Sequence, residues 1–533
     1  MYDKEKGLYI AHCDKGALSI LGKMANRHGL VTGATGTGKT VTLQVLAETF
    51  CQVGVPCFMA DMKGDLSGIS QVGATSSFIE KRKDEFEVPN PEFQACPTRL
   101  FDVFGKQGHP MRARVSDMGP DLLARLLDLN DTQTGVINIV FRIADERGLL
   151  IDDLKDLRAM LDYVSKHAGE YTTKYGNIAT ASVGAIQRAL LTLENDGADK
   201  FFGLPSFDIN DLLQKDPKTG KGIMNVLAAD ELMLKPRVYS TFLLWLLSEL
   251  YTTLPEVGDQ DLPKLIFFFD EAHMLFDGTS KAMTDKIEQV IRLIRSKGVG
   301  IYFVSQSPTD IPDIVLSQLG NRIQHALRAY TPKDQKALKT AAETFRANPD
   351  FDTAEAITNL GTGEALVSFL DEKGAPAMVE KAKILFPLSQ IGAISEGQRL
   401  DLIKGSDLYG KYDTPEDRES AFETLLAEAE QGALVEAEDK EVQVAEDEEE
   451  KEEKKKGGKK KTSIFGRVAK AVWTAVTATF ATLLATFVSD KISGKKTKSK
   501  TSATTKVVKN ATSAATRSIT RELSRDILGN LIK

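Results

Sequence analysis

The chain has 533 residues, 42% of them hydrophobic and 27% charged, which suits a protein with a large core and about two to four domains. That composition excludes a wholly disordered chain, a collagen-like fibre and a polytopic membrane protein. Lys and Arg number 68 against 75 Asp and Glu, a net charge of −7, which excludes a globally basic nucleic-acid binder but not a local basic stripe.

From Met1 to about Leu434 the pattern is mixed α/β. Short apolar runs rich in β-branched and aromatic residues alternate with longer helical patterns, as parallel βαβ units require. Strands are predicted at Leu30-Val31, Val55 to Ala60, Leu265 to Phe269, Gly300 to Ser305, Arg322 to Ala329 and Ala365 to Leu370. The run Leu265-Ile266-Phe267-Phe268-Phe269 has no polar alternation, so it is predicted as a central strand covered on both faces. Between about Gly119 and Gln214 the pattern turns helical. The segments beginning at Asp121, Ile137, Leu154 and Gly184 place apolar residues three and four apart. Ser240 to Leu250 is apolar nearly all round and too short to span a bilayer, so a buried helix is expected there.

After Leu434 the composition changes. Glu436 to Lys461 is almost entirely Glu, Asp, Lys and Gly, a solvated linker. Ile464 to Val488 is apolar and rich in Ala and Thr, Lys491 to Lys509 is basic, and Ala511 to Ile532 is a candidate amphipathic helix. Spanning a membrane, lying on its surface and packing on protein all remain open for the apolar stretch. The chain therefore divides into 1–118 and 216–410 as two parts of an α/β core, 119–215 as a helical insertion, 411–463 as a helix and charged linker, and 464–533 as a tail.

The four cysteines, Cys13, Cys51, Cys57 and Cys96, show no CxxC spacing and are expected as reduced, buried thiols. The six histidines are scattered, so no metal site made of protein ligands alone is expected. Met1 to Asn26 lacks an apolar run of signal-peptide length, which points to a cytoplasmic protein. Peripheral attachment at the inner membrane through the tail stays open.

The strongest chemical signal is Gly33, Ala34, Thr35, Gly36, Thr37, Gly38, Lys39 and Thr40, a complete GxxxxGK[ST] loop between a short strand and a helix beginning near Val41. Its glycines let several backbone N–H groups turn toward one phosphate chain, and the helix N-terminus adds positive potential. Lys39 is placed to bridge the β- and γ-phosphates of ATP, and Thr40 to put its hydroxyl on Mg²⁺. The second signal is the buried strand that ends in Asp270 and Glu271. Asp270 fits as the holder of Mg²⁺ and Glu271 as the residue that orients and deprotonates the attacking water. His273 reads as structural. A third strand ends in Gln306, whose amide can sense the γ-phosphate and position water. Arg322 is the leading candidate for a charge-stabilising arginine supplied to a neighbouring subunit, with Arg295 and Arg328 as alternatives.

In this order, GATGTGKT, ADMKGDLSGI (Ala60 to Ile69), LIFFFDEAH, the run Arg292 to Pro308, and LGNRIQHALRAYTPKD (Leu319 to Asp334) resemble the HerA–FtsK superfamily of P-loop ATPases, and within it the bacterial HerA-like helicase branch. The resemblance runs from about Gly7 to Gly392, includes the helical block, and returns at Arg521 to Ile532. It implies a RecA-like core in a hexameric ring that pumps double-stranded DNA, with Lys39, Thr40, Asp270, Glu271 and Gln306 in the roles above and Arg322 as the trans finger. One departure stands out. Archaeal HerA proteins carry a β-barrel before the core, whereas 38 residues precede Lys39, so that barrel is expected to be missing.

The function expected is an ATP-driven DNA motor. The alternative is an ATPase that remodels or anchors a protein or membrane assembly without acting on DNA. Lys63, Arg112, Arg114 and Lys235 are scattered candidates for DNA-facing charge.

Overall fold

The computed structural model describes residues 2–3, 7–258, 260–276 and 281–437. Twelve strands form one sheet: β1 (Tyr2–Asp3), β2 (Gly7–Cys13), β3 (Gly16–Ile20), β4 (Gly29–Thr32), β5 (Cys57–Asp61), β6 (Thr98–Phe101), β7 (Met224–Ala228), β8 (Leu265–Phe269), β9 (Val299–Ser305), β10 (Asn321–Gln324), β11 (Glu364–Ser368) and β12 (Glu380–Ile384). Their order is β1-β2-β12-β11-β10-β4-β9-β8-β5-β7-β6, with β3 beside β2. The seven strands from β10 to β6 are parallel. The rest, at one edge, pair antiparallel. This is the doubly wound α/β architecture of P-loop ATPases, in which ligands sit at the carboxyl ends of the parallel strands.

Helices cover both faces. In β8, Leu265, Phe267 and Phe269 pack into one core and Ile266 and Phe268 into the other, which is why the run lacks polar alternation. The first core takes in the helices Val115–Leu126, Asp131–Arg147, Leu154–Lys166 and Thr180–Asn195, together with the buried helix Pro236–Thr253. The second holds the helix Lys39–Gln52, whose Leu43, Leu46, Ala47 and Phe50 are fully or almost fully buried.

Several expectations shift. The strand predicted over Arg322 to Ala329 ends at Gln324, because the next residue, His325, turns its ring onto the helix after the P-loop. That helix begins at Lys39 rather than Val41. Strands β2, β3, β6, β7 and β12 were not legible in the pattern. Residues 406–434 wrap the helical block through ion pairs: Lys411 with Asp211, Arg418 with Asp152, Lys155 with Asp417 and Glu423, and Arg147 with Glu428. Among the described residues no helix is long and apolar enough to cross a membrane. The expectations for the linker beyond residue 437 and for the tail, 464–533, lie outside the described residues.

Candidate active site

Three parallel neighbours, β4, β9 and β8, end side by side. At their carboxyl ends stand, in turn, the loop Gly33–Gly38, Gln306, and the pair Asp270 and Glu271. The loop needs its glycines. Gly33 has φ +153°, and a Cβ there would lie 2.5 Å from the Cβ of His325. Gly38, at φ 114°, caps the helix that Lys39 opens.

Lys39 is buried and its ammonium folds back on the loop, donating to the carbonyls of Gly33 at 2.8 Å and Ala34 at 3.2 Å. Burial lowers its pKa, against the attraction of Glu271. Its donors therefore rest on carbonyl oxygens that phosphate oxygens can replace. The loop is braced from β10: Ala34 N–H donates to the Ala326 carbonyl, and His325 bridges Thr42 Oγ1 at 2.8 Å and the Glu364 carbonyl at 2.9 Å. Burial holds His325 neutral, with its pKa lowered to about 4.

Asp270 is 4% exposed. Its Oδ1 accepts the Glu271 N–H at 2.9 Å, while Oδ2 has no hydrogen-bond partner among the described residues. Burial pushes its pKa up. A buried carboxylate oxygen without a donor is costly unless a cation or proton meets it, so the site fits a divalent ion. Glu271 has left-handed backbone angles, φ 47° and ψ 48°, a conformation that costs a glutamate about 1–3 kcal/mol and clusters at functional sites. Burial pulls its pKa upward, but the Lys63 ammonium, helped by His273 and Lys39, outweighs that and holds it below the ordinary value. Lys63 Nζ lies 2.7 Å from Glu271 Oε1. Gln306 Nε2 and His273 Nδ1 each lie 3.5 Å from Oε2. Beside this cluster opens a cleft of about 640 Å³ lined by Ala34, His273, Gln306, Arg328 and Lys333.

The structure thus gathers Lys39, Asp270, Glu271 and Gln306, and puts Arg328 on the cleft next to them. It places Arg322 elsewhere. Arg322 is the second residue of β10, near the amino ends of the parallel strands, and its guanidinium donates to the carbonyls of Leu319 at 2.9 Å, Thr344 at 3.0 Å and Leu316 at 3.0 Å. Three carbonyls of its own chain thus hold the guanidinium expected to act in trans. It nonetheless borders a cleft of about 300 Å³ that also gathers Arg27, Arg292, Arg295 and His28, and no Asp or Glu among the described residues lines that cleft. Sequence reasoning missed Arg27, which carries no local motif. The four scattered basic residues that could face DNA are engaged within the chain: Lys63 with Glu271, Arg112 with the Tyr412 carbonyl, Arg114 with Asp117, and Lys235 over the Phe104 ring.

A doubly wound sheet with a GxxxxGK[ST] loop at one strand end and an acidic pair at the end of the next strand but one defines the P-loop ATPase class of fold. Within it, the family model described as "Helicase HerA-like C-terminal" matches residues 8–533, and the chain belongs to that family. It is 24% identical over 352 residues to the DNA double-strand break repair helicase HerA of Sulfurisphaera tokodaii, covering 64% of this chain and 62% of that one. The HerA of Sulfolobus acidocaldarius is 20% identical over 351 residues, with the same coverage of 64% and 62%. The chain spans about 62% of the length of these relatives. Among solved structures, the bacterial conjugative coupling protein TrwBdeltaN70 aligns with a TM-score of 0.47 at 16% identity, covering 74% of this chain and 91% of that one. VirB4 of Thermoanaerobacter pseudethanolicus aligns with a TM-score of 0.45 at 16% identity, covering 72% and 97%.

Proposed function

We propose that the chain is an ATP-hydrolysing motor that works as a ring of six subunits and translocates double-stranded DNA. The observation that carries the hydrolytic part is the convergence of Lys39, Glu271 and Gln306 around the partnerless Asp270 Oδ2. Lys39 leaves the carbonyls of Gly33 and Ala34 for the β- and γ-phosphates, while backbone N–H groups of Gly33 to Thr40, with Val41 in the first turn of the helix that Lys39 opens, cradle the chain of phosphates. The Thr40 hydroxyl and the Asp270 carboxylate are the residues that hold Mg²⁺, which when bound neutralises charge between the phosphates. Glu271 accepts the proton of the attacking water, and the Gln306 amide holds that water in line.

The arginine-lined cleft supports the ring. The nucleotide site lies at the carboxyl end of β4 and the cleft at its amino end, so head-to-tail stacking of subunits brings one to the other, the heterologous contact that closes into rings. In this reading Arg27, Arg292 and Arg295 supply the positive charge in trans, and Arg322 buttresses them. The DNA part follows from family membership and from the names of the HerA relatives.

The test is the ATPase rate of the purified chain with and without double-stranded DNA, beside a mass measurement. Lys39→Ala abolishes turnover. Glu271→Gln keeps nucleotide binding and loses at least about a hundredfold in rate, the scale of a removed general base. Wild-type turnover by Glu271→Gln refutes the assignment. A ring whose rate ignores DNA favours remodelling or anchoring of a protein or membrane assembly instead.

A further inference from the structure

The segment Ala60 to Ile69 follows β5, whose last residue, Asp61, stands beside the strand end that carries Asp270. The buried Asp61 carboxylate turns back on its own loop and accepts the N–H groups of Lys63 at 3.3 Å, Gly64 at 2.8 Å and Leu66 at 3.0 Å. Gly64, at φ +76°, makes the turn. The backbone under Lys63 is therefore pinned, while its side chain keeps 47% of its surface exposed against 9% for Glu271. A fixed base with a half-solvated, four-carbon arm can exchange partners without disturbing the loop.

What the arm does now is cover the residue assigned to water. The Lys63 ammonium sits on Glu271 Oε1, and Gln306 and His273 face Oε2. A general base needs one oxygen turned to its water. The pair is also a weak anchor, since an ion pair with one partner half in solvent is worth little. A γ-phosphate arriving beside Lys39 brings more charge than one carboxylate and three acceptor oxygens.

We propose that Lys63 is a positioning lysine that reads the γ-phosphate: it holds Glu271 idle in the nucleotide-free chain and moves to the terminal phosphate when a nucleoside triphosphate binds, releasing Glu271 to the water. A diphosphate offers no such acceptor, so Glu271 stays covered with ADP in place. The inference rests on the ATPase reading above and adds a coupling within that site: triphosphate binding and the Lys63–Glu271 pair compete for one ammonium.

Competition is measurable without turnover. Equilibrium binding of Mg²⁺ with adenylyl imidodiphosphate, and separately of Mg²⁺ with ADP, is compared in the full chain for wild type, Lys63→Met, Glu271→Gln and the double variant. Lys63→Met weakens the triphosphate analogue roughly tenfold, the worth of a charge-assisted hydrogen bond, and leaves ADP within about twofold. Glu271→Gln frees the ammonium and tightens the analogue, and that gain vanishes in the Lys63→Met background. Lys63→Arg restores the preference for triphosphate. Equal losses for both nucleotides, or a cycle in which the two substitutions simply add, overturn the proposal while leaving the ATPase reading intact. A wild-type chain that binds neither nucleotide overturns both.

Discussion

Arg322→Ala separates a buttress from a finger. The guanidinium donates to the carbonyls of Leu319, Thr344 and Leu316 at 2.9, 3.0 and 3.0 Å, and burial pushes its pKa down. Alanine leaves three carbonyls without this donor at about 1 kcal/mol each, so the fold should lose about 3 kcal/mol. Lysine places one point charge where a planar fork spans three acceptors, and recovers only part of that. Urea titration of Arg322→Ala should show a lower midpoint at unchanged slope. Arg295→Ala, on the exposed side of the same cleft, should lose turnover with the midpoint kept, and should regain part of it when mixed with Lys39→Ala subunits, because one intact composite site can form. An Arg322→Ala chain with the wild-type midpoint, no turnover, and rescue by Lys39→Ala subunits refutes the reasoning and makes Arg322 the finger.

Two further outcomes follow from buried groups. His28 accepts the Ile301 N–H on Nδ1 and meets the Ile291 carbonyl with Nε2, each at 3.0 Å, and burial lowers its pKa to about 4; the unfolded chain therefore takes up the proton first, stability falls as pH drops below about 6.5, and between pH 7.5 and 5.0 the loss due to His28 is about 2 kcal/mol. Denaturation at both pH values should show a loss smaller by about 2 kcal/mol in His28→Gln than in wild type, with the similar contribution of buried His325 left in place. Ending the chain after Gly410 removes the partners of Asp152, Asp156 and Asp211 and exposes the apolar surface that buried Tyr412 covers, so that fragment should fail to fold, whereas a chain ending at Leu434 should keep a cooperative transition by circular dichroism.

How much was legible depended on how local each signal was. The P-loop is read from eight consecutive residues, because its work is done by backbone N–H groups and needs particular residues at particular steps. The strand Leu265–Phe269 is legible because burial on both faces leaves a continuous apolar run. Glu380–Ile384, with the sequence EKAKI, is not, since only alternate residues face the core and the others carry charge. Arg322 to Ala329 looked like one long strand, yet His325 serves the P-loop and ends β10 early. The Lys63–Glu271 pair spans 208 positions of sequence, and Arg27 reaches Arg292 and Arg295 only through the return of the chain across the sheet. No local spacing encodes either juxtaposition.

The sheet itself links these distant parts. β4 and β10 lie side by side, and each carries one end of the device: their amino ends border the cleft of Arg27 and Arg322, and their carboxyl ends carry the P-loop and the His325 that braces it. Two hydrogen-bonded parallel strands move as one body far more readily than they shear, since a slip breaks every ladder bond and turns each side chain to the wrong face. In the ring proposed above, charge captured at the arginine end of one subunit, from the nucleotide of its neighbour, is felt at its own P-loop through strands of four residues each. Sequential firing around the proposed ring needs that connection and, by this route, no moving domain.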